Sequence, residues 1–148
     1  MLNRKESLAE IMAIDAEERA ARLSYVNLTE ADCKLLRQFK PVIEKNADMI
    51  VDTFYENLSR YPELIKIISQ AGSNIDRLKI TQKRYLLDIF DGNFDKAYFE
   101  SQLKIGVIHK NIGLTPRWYL GGYSIYLQLI NPLIIRKYWY SPAKALLL

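Results

Sequence analysis

His109 is the only histidine in the 148-residue chain. Ile105 lies one turn before it and Ile112 one turn after, so a helix here sets the imidazole on an apolar stripe. An imidazole so placed is a satisfied core histidine, a general base or a metal ligand, and the first is the commonest fate of a lone one. Tyr55 falls one turn after Val51 and just before Leu58, at the edge of another apolar stripe. Its hydroxyl is expected to be largely buried and to need a partner. Thr81, three residues after Leu78 and four before Tyr85, is expected to put a hydroxyl on an inward face, although such threonines often bond their own backbone one turn back. Phe54 and Leu78 would be core residues in any helical bundle, and Trp118 and Tyr119 could simply anchor a helix start.

The rest of the chemistry is excluded by what is absent. No serine or cysteine sits in a nucleophile elbow, so no His-centred triad can be assembled. Cys33, between Asp32 and Lys34, reads as a small packing residue. There is no glycine-rich phosphate loop. One histidine without clustered inward carboxylates cannot complete a four-ligand zinc or iron site. The cofactor that needs only one protein ligand is haem, held in an apolar all-helical cage.

Helices must supply that cage. Leu8 to Ile14 is a short apolar-periodic piece, and Asp15 caps a helix through Leu23. Thr29 and Asp32 form a capping box for a helix that Pro41 is expected to end, starting another through Leu58. Tyr61-Pro62 opens a short helix. Ser73, with Asp76 three residues on, is expected to cap the next, which carries Leu78, Tyr85 and Ile89. Asp91-Gly92-Asn93 is a turn, and a helix from about Phe94 to Ile112 carries His109 and stops at Gly113. Thr115-Pro116 opens a helix to about Lys137, so apolar in its middle that burial on more than one side is expected. Pro132 should kink it. Ser141-Pro142 starts a last helix that reads as cut short.

Composition sets the outer bounds. The length fits one domain with a sizeable core. The 21 basic and 17 acidic residues are interleaved, and a net charge of +4 without a basic cluster argues against nucleic acid as a partner. A single cysteine rules out an internal disulfide. No signal peptide and no membrane-spanning run is present, so a cytoplasmic location is the default.

Three segments together resemble a known family. His109, Ile112-Gly113-Leu114 and Pro116-Arg117-Trp118-Tyr119 resemble the proximal-histidine motif of globin-coupled sensors, the bacterial haem-based gas sensors. Val51 to Leu58 is similar to that family's distal-tyrosine helix, and Asp76 to Thr81 to its distal wall. The resemblance implies an all-α globin fold with an extra N-terminal helix, as in the sensor domains of aerotaxis transducers and gas-regulated cyclases and kinases. On this reading residues 1–148 are one sensor domain, with an extension helix over 1–25 and a globin core over 26–148. The cofactor is haem b, iron protoporphyrin IX, with His109 as its axial ligand. Tyr55 is then the distal donor to O2, with NO and CO as other candidate ligands. Thr81 is a second donor or positions Tyr55. Leu78 closes the pocket against water, Phe54 and Trp118 pack on the porphyrin, and Tyr119 links the proximal side to the following helix. The lack of a second histidine excludes a bis-histidine haem. The implied role is a non-enzymatic gas sensor, a homodimer through the helices at 116–137 and 141–148, signalling to an output domain outside this chain. A haem-free signalling scaffold and a haem dioxygenase consuming nitric oxide are the alternatives.

Overall fold

Eight helices account for almost all of residues 7–147, the part of the chain that the computed structural model describes. They are α1 (Leu8–Ile11), α2 (Ala16–Tyr25), α3 (Glu30–Leu58), α4 (Pro62–Gln70), α5 (Ile75–Phe90), α6 (Lys96–Asn111), α7 (Pro116–Tyr138) and α8 (Pro142–Leu147). The caps are those expected from the sequence at two starts. Asp15 accepts from Glu18 N at 2.8 Å, and Thr29 and Asp32 complete a reciprocal capping box.

Two helix ends differ from expectation. Pro41 neither ends nor starts a helix, because α3 runs through it as one 29-residue element. Pro41 is exposed, so the Arg37 carbonyl it leaves without an i+4 donor lies on the wet side of the helix. The opposite face buries Leu35, Phe39, Ile43 and Ala47, which outweighs one missing bond. The cap of α5 is Asn74 rather than Ser73, its side chain accepting from Arg77 N at 3.0 Å. Ser73 is already committed, its N–H closing the end of α4 on the Ile68 carbonyl at 3.1 Å.

The core forms where α3 meets α5 and α7. Phe39, Ile43, Ala47 and Ile50 of α3 are fully buried against Leu86 and Phe90 of α5 and Ile134 and Tyr138 of α7. α7 corrects a further expectation. Only Ile134 and Tyr138 are buried along it, while Leu120, Tyr123, Leu127 and Ile135 stay exposed. Its main packing is on α3, with further side-chain contacts to α4, α5 and α6, and those four apolar side chains stay exposed among the described residues.

α6 stands apart from that core. It packs mainly on α1 and α2, and none of its residues is buried. Glu100 of α6 supplies the N-terminus of α1 with acceptors, taking the Leu8 and Ala9 N–H groups at 3.0 and 2.8 Å.

The α5–α6 turn depends on Gly92. Its φ is +58°, and a Cβ there would lie 2.5 Å from the Cys33 carbonyl oxygen. Its own carbonyl accepts from Arg37 at 2.8 Å. Gly92→Ala is expected to cost about 1–3 kcal/mol from the left-handed backbone alone, with the clash added, read as a lower melting temperature.

Candidate functional site

α3 delivers the first functional side chain into the core. Tyr55 is 5% exposed, and its hydroxyl makes no hydrogen bond among the described residues. Burial pushes its pKa up to about 12, so it is a protonated donor at neutral pH. Phe54, its neighbour, meets the Tyr55 ring edge-on at 5.2 Å and stacks on Tyr126 of α7 at 4.7 Å and 13°. Tyr55, Phe54 and Tyr126 are therefore one aromatic unit across the α3–α7 contact.

Tyr126 was not singled out by its sequence position, where it merges into an apolar run. Its hydroxyl is buried and has no hydrogen-bond partner, the one such side-chain atom among the described residues. Gln82 of α5 is near enough to bear on it, but no hydrogen bond of normal geometry joins the two. Burial raises the Tyr126 pKa, Gln82 opposes this, and the adjacent Tyr55 phenol raises it further. An orphaned buried hydroxyl costs about 1–3 kcal/mol and is rare in folded proteins. The sequence signal was the same as for Tyr55, a polar tip on an apolar helix face.

Further phenols converge on this region. The Tyr85 hydroxyl of α5 lies 3.3 Å from that of Tyr123 on α7. Burial raises the pKa of Tyr98 on α6, and Tyr123 raises it further.

Leu78 is half-buried against the α3–α5 core. Thr81 does not take the expected inward position. It is exposed, and its hydroxyl donates to the Arg77 carbonyl at 3.3 Å, the one-turn back-bond open to any helical threonine. No bond joins it to Tyr55.

His109 sits near the end of α6, half-buried. Burial lowers its pKa, so the imidazole is neutral at pH 7. Neither ring nitrogen has a hydrogen-bond partner among the described residues. The Tyr119 ring lies nearly parallel to it at 6.2 Å and 15°. The turn between them is fixed by Gly113 at φ +69° and by the Leu114 N–H, which donates to the His109 carbonyl at 2.9 Å.

Trp118 is placed at a different contact from Phe54. Its indole N–H donates to Glu63 of α4 at 3.2 Å, and its ring packs on Tyr61 at 5.3 Å. Arg117 pairs with the same carboxylate at 2.7 Å and lies over the indole at 4.7 Å. Glu63 is a second residue that the sequence did not reveal. In the first turn of α4 it reads as an ordinary N-terminal acid.

The donor set fits a group that needs one protein ligand. Among the described residues no three His, Cys, Asp or Glu side chains gather to hold a bare ion. The residues offer instead one neutral imidazole with free nitrogens, a half-exposed apolar helix face around it, one buried phenol hydroxyl without a partner, that of Tyr126, and the largely buried Tyr55 beside the same Phe54 ring.

Residues 15–146 match the family model described as Protoglobin. The chain is similar to the heme-based aerotactic transducer HemAT of Halobacterium salinarum, with 33% identity over 120 residues, covering 81% of this chain and 24% of that protein. It thus spans about a quarter of that relative's length. It is also similar to the globin domain of a Geobacter sulfurreducens globin-coupled sensor, with a TM-score of 0.77 and 23% identity over 89% of this chain and 84% of the other. That likeness establishes an all-α globin fold, and the resemblance read from the three motifs is borne out.

Proposed function

The chain belongs to the protoglobin family, and from that premise we propose that it binds haem b and serves as the gas-sensing domain of a larger signalling protein. His109 carries this reading. It is the chain's one imidazole, neutral through burial, on a helix with an apolar face, and its nitrogens have no protein partner among the described residues.

His109 would hold the iron through Nε2, and the stacked Tyr119 ring would keep the imidazole plane fixed. When bound, haem supplies an iron atom that takes up a diatomic gas. Tyr55 would donate a hydrogen bond to such a ligand, and its raised pKa keeps the proton in place across the physiological range. Phe54 holds Tyr55 in position and lines the pocket, while Leu78 keeps water out. Thr81, turned to its own backbone, contributes to the wall rather than to a bond with Tyr55. Trp118, the other residue proposed to pack on the porphyrin, also couples the start of α7 to α4 through Glu63.

The relative's printed name supports an aerotactic type of role, and O2 is the ligand that a phenol donor favours over the less polar CO. α7 and α8 would carry the response to an output domain, with no chemistry of their own. The exposed apolar row on α7 supports a homodimer through residues 116–137 and 141–148. No described helix is long and apolar enough to cross a membrane, in keeping with a cytoplasmic sensor.

The test is an absorption spectrum after hemin addition and reduction, with and without O2. A Soret band that shifts reversibly with O2 is expected. No band beyond that of free hemin would favour the haem-free scaffold, and turnover of nitric oxide with a reductant would favour the dioxygenase. Tyr55→Phe should speed O2 dissociation about 10- to 100-fold, the worth of a hydrogen bond to a partly charged acceptor, with little change for CO. An unchanged O2 rate removes Tyr55 from the donor role.

A further inference from the structure

We infer that Tyr126 is a second hydrogen-bond donor of the gas pocket, addressing the same polar ligand as Tyr55 from the opposite helix. This rests on the haem reading above and adds a residue that the three motifs do not contain.

The orphaned hydroxyl is the starting point. Its ring is stacked face to face on Phe54, so the hydroxyl cannot swing out to water without breaking that contact. The same Phe54 packs edge-on against Tyr55. One aromatic side chain therefore positions both phenols, one from α3 and one from α7. The Tyr55 phenol lies close enough to Tyr126 to raise its pKa. Neither has a protein partner among the described residues, and both are protonated at neutral pH. A buried O–H with no protein acceptor is suited to an acceptor that arrives from outside. A polar diatomic ligand beside Tyr55 is such an acceptor, and CO is a much poorer one.

Tyr126 also lies on α7, the helix that continues toward the C-terminal segment. Tyr55 lies on α3 and His109 on α6. A bond from Tyr126 gives the ligand a direct hold on the element assigned to carry the response.

The test compares wild type, Tyr126→Phe, Tyr55→Phe and the double variant, with and without haem. Without haem, Tyr126→Phe is expected to melt at the same temperature as wild type or higher, because a hydroxyl without a partner is removed. A lower melting temperature would mean that a protein group such as Gln82 already satisfies it, and the inference falls. With haem, Tyr126→Phe should release O2 about 3- to 10-fold faster, the range of one neutral hydrogen bond, and release CO within about twofold of wild type. The acceleration should persist in the Tyr55→Phe background. If it vanishes there, Tyr126 acts only by positioning Tyr55 and the donor role is overturned. An unchanged O2 rate with an intact Soret band overturns Tyr126 alone. A wild-type protein without a Soret band overturns the haem reading and this inference together.

Discussion

His109→Ala protein mixed with hemin is expected to give no coordinated Soret band, and the reduced sample to show no spectral change with O2. The reason is arithmetic as much as geometry. The chain has one imidazole, and no cluster of other ligands among the described residues can take its place. Outer-shell partners of a metal ligand are worth about 10- to 100-fold in affinity, and the ligand itself more. The substitution leaves the fold largely intact, because His109 is half-buried and makes no side-chain hydrogen bond whose loss would strand a partner. Added imidazole should therefore restore a band by occupying the space that the alanine leaves. A variant that keeps the wild-type spectrum without imidazole would remove His109 as the ligand. A variant that loses helical circular dichroism would show a structural role larger than its burial indicates.

The second large effect is on stability. Phe39→Ala is expected to lower the unfolding free energy by about 3–5 kcal/mol, through lost burial and the cavity left behind. Phe39 is 0% exposed and stands where three helices meet. Its ring lies 5.8 Å from Phe90 of α5 and 6.1 Å from Tyr138 of α7, so its loss leaves both aromatic neighbours without their common partner. For a chain of this size that loss lowers the melting temperature by roughly 10–15 °C. Phe39 and Tyr55 are 16 residues apart on the same helix, about 24 Å along its axis. The melting curve should therefore move while the haem spectrum stays. A shift of only a degree or two would mean that the α3–α5–α7 junction is not the core of the cooperative unit.

Much of the helix order was legible because it rests on local signals. Asp15, Thr29, Pro62 and Pro116 mark helix starts through hydrogen bonds and backbone angles set within four residues. Pro41 misled for the same reason. Its local preference is to break a helix, and the burial of Phe39 and Ile43 on the far face overrides it. Ser73 and Asn74 are both good caps, and only the demand of α4's end on Ser73 decides between them. At the site, His109 and Tyr55 could be read from periodicity, because each is a polar group on an apolar stripe. Glu63 and Trp118 could not be paired, since 55 residues separate them and neither type announces the other. The same holds for Tyr126 and Phe54, whose contact exists only once α3 and α7 are packed.

The separation of α6 from the α3–α5–α7 junction has a consequence for how the molecule breathes. Amide exchange in α3 and α5 is expected to be governed by global unfolding, because their inner faces form the core. α6 has no residue fully buried by protein, and its main contacts are to the short α1 and to α2. It belongs to a weaker cooperative unit that can open while the junction stays closed. On the haem reading proposed above, a cofactor held by His109 would do more than occupy a site. By mass action it would tie that unit to the rest of the chain, and the free energy of attachment would become a quantity that a gas could modulate.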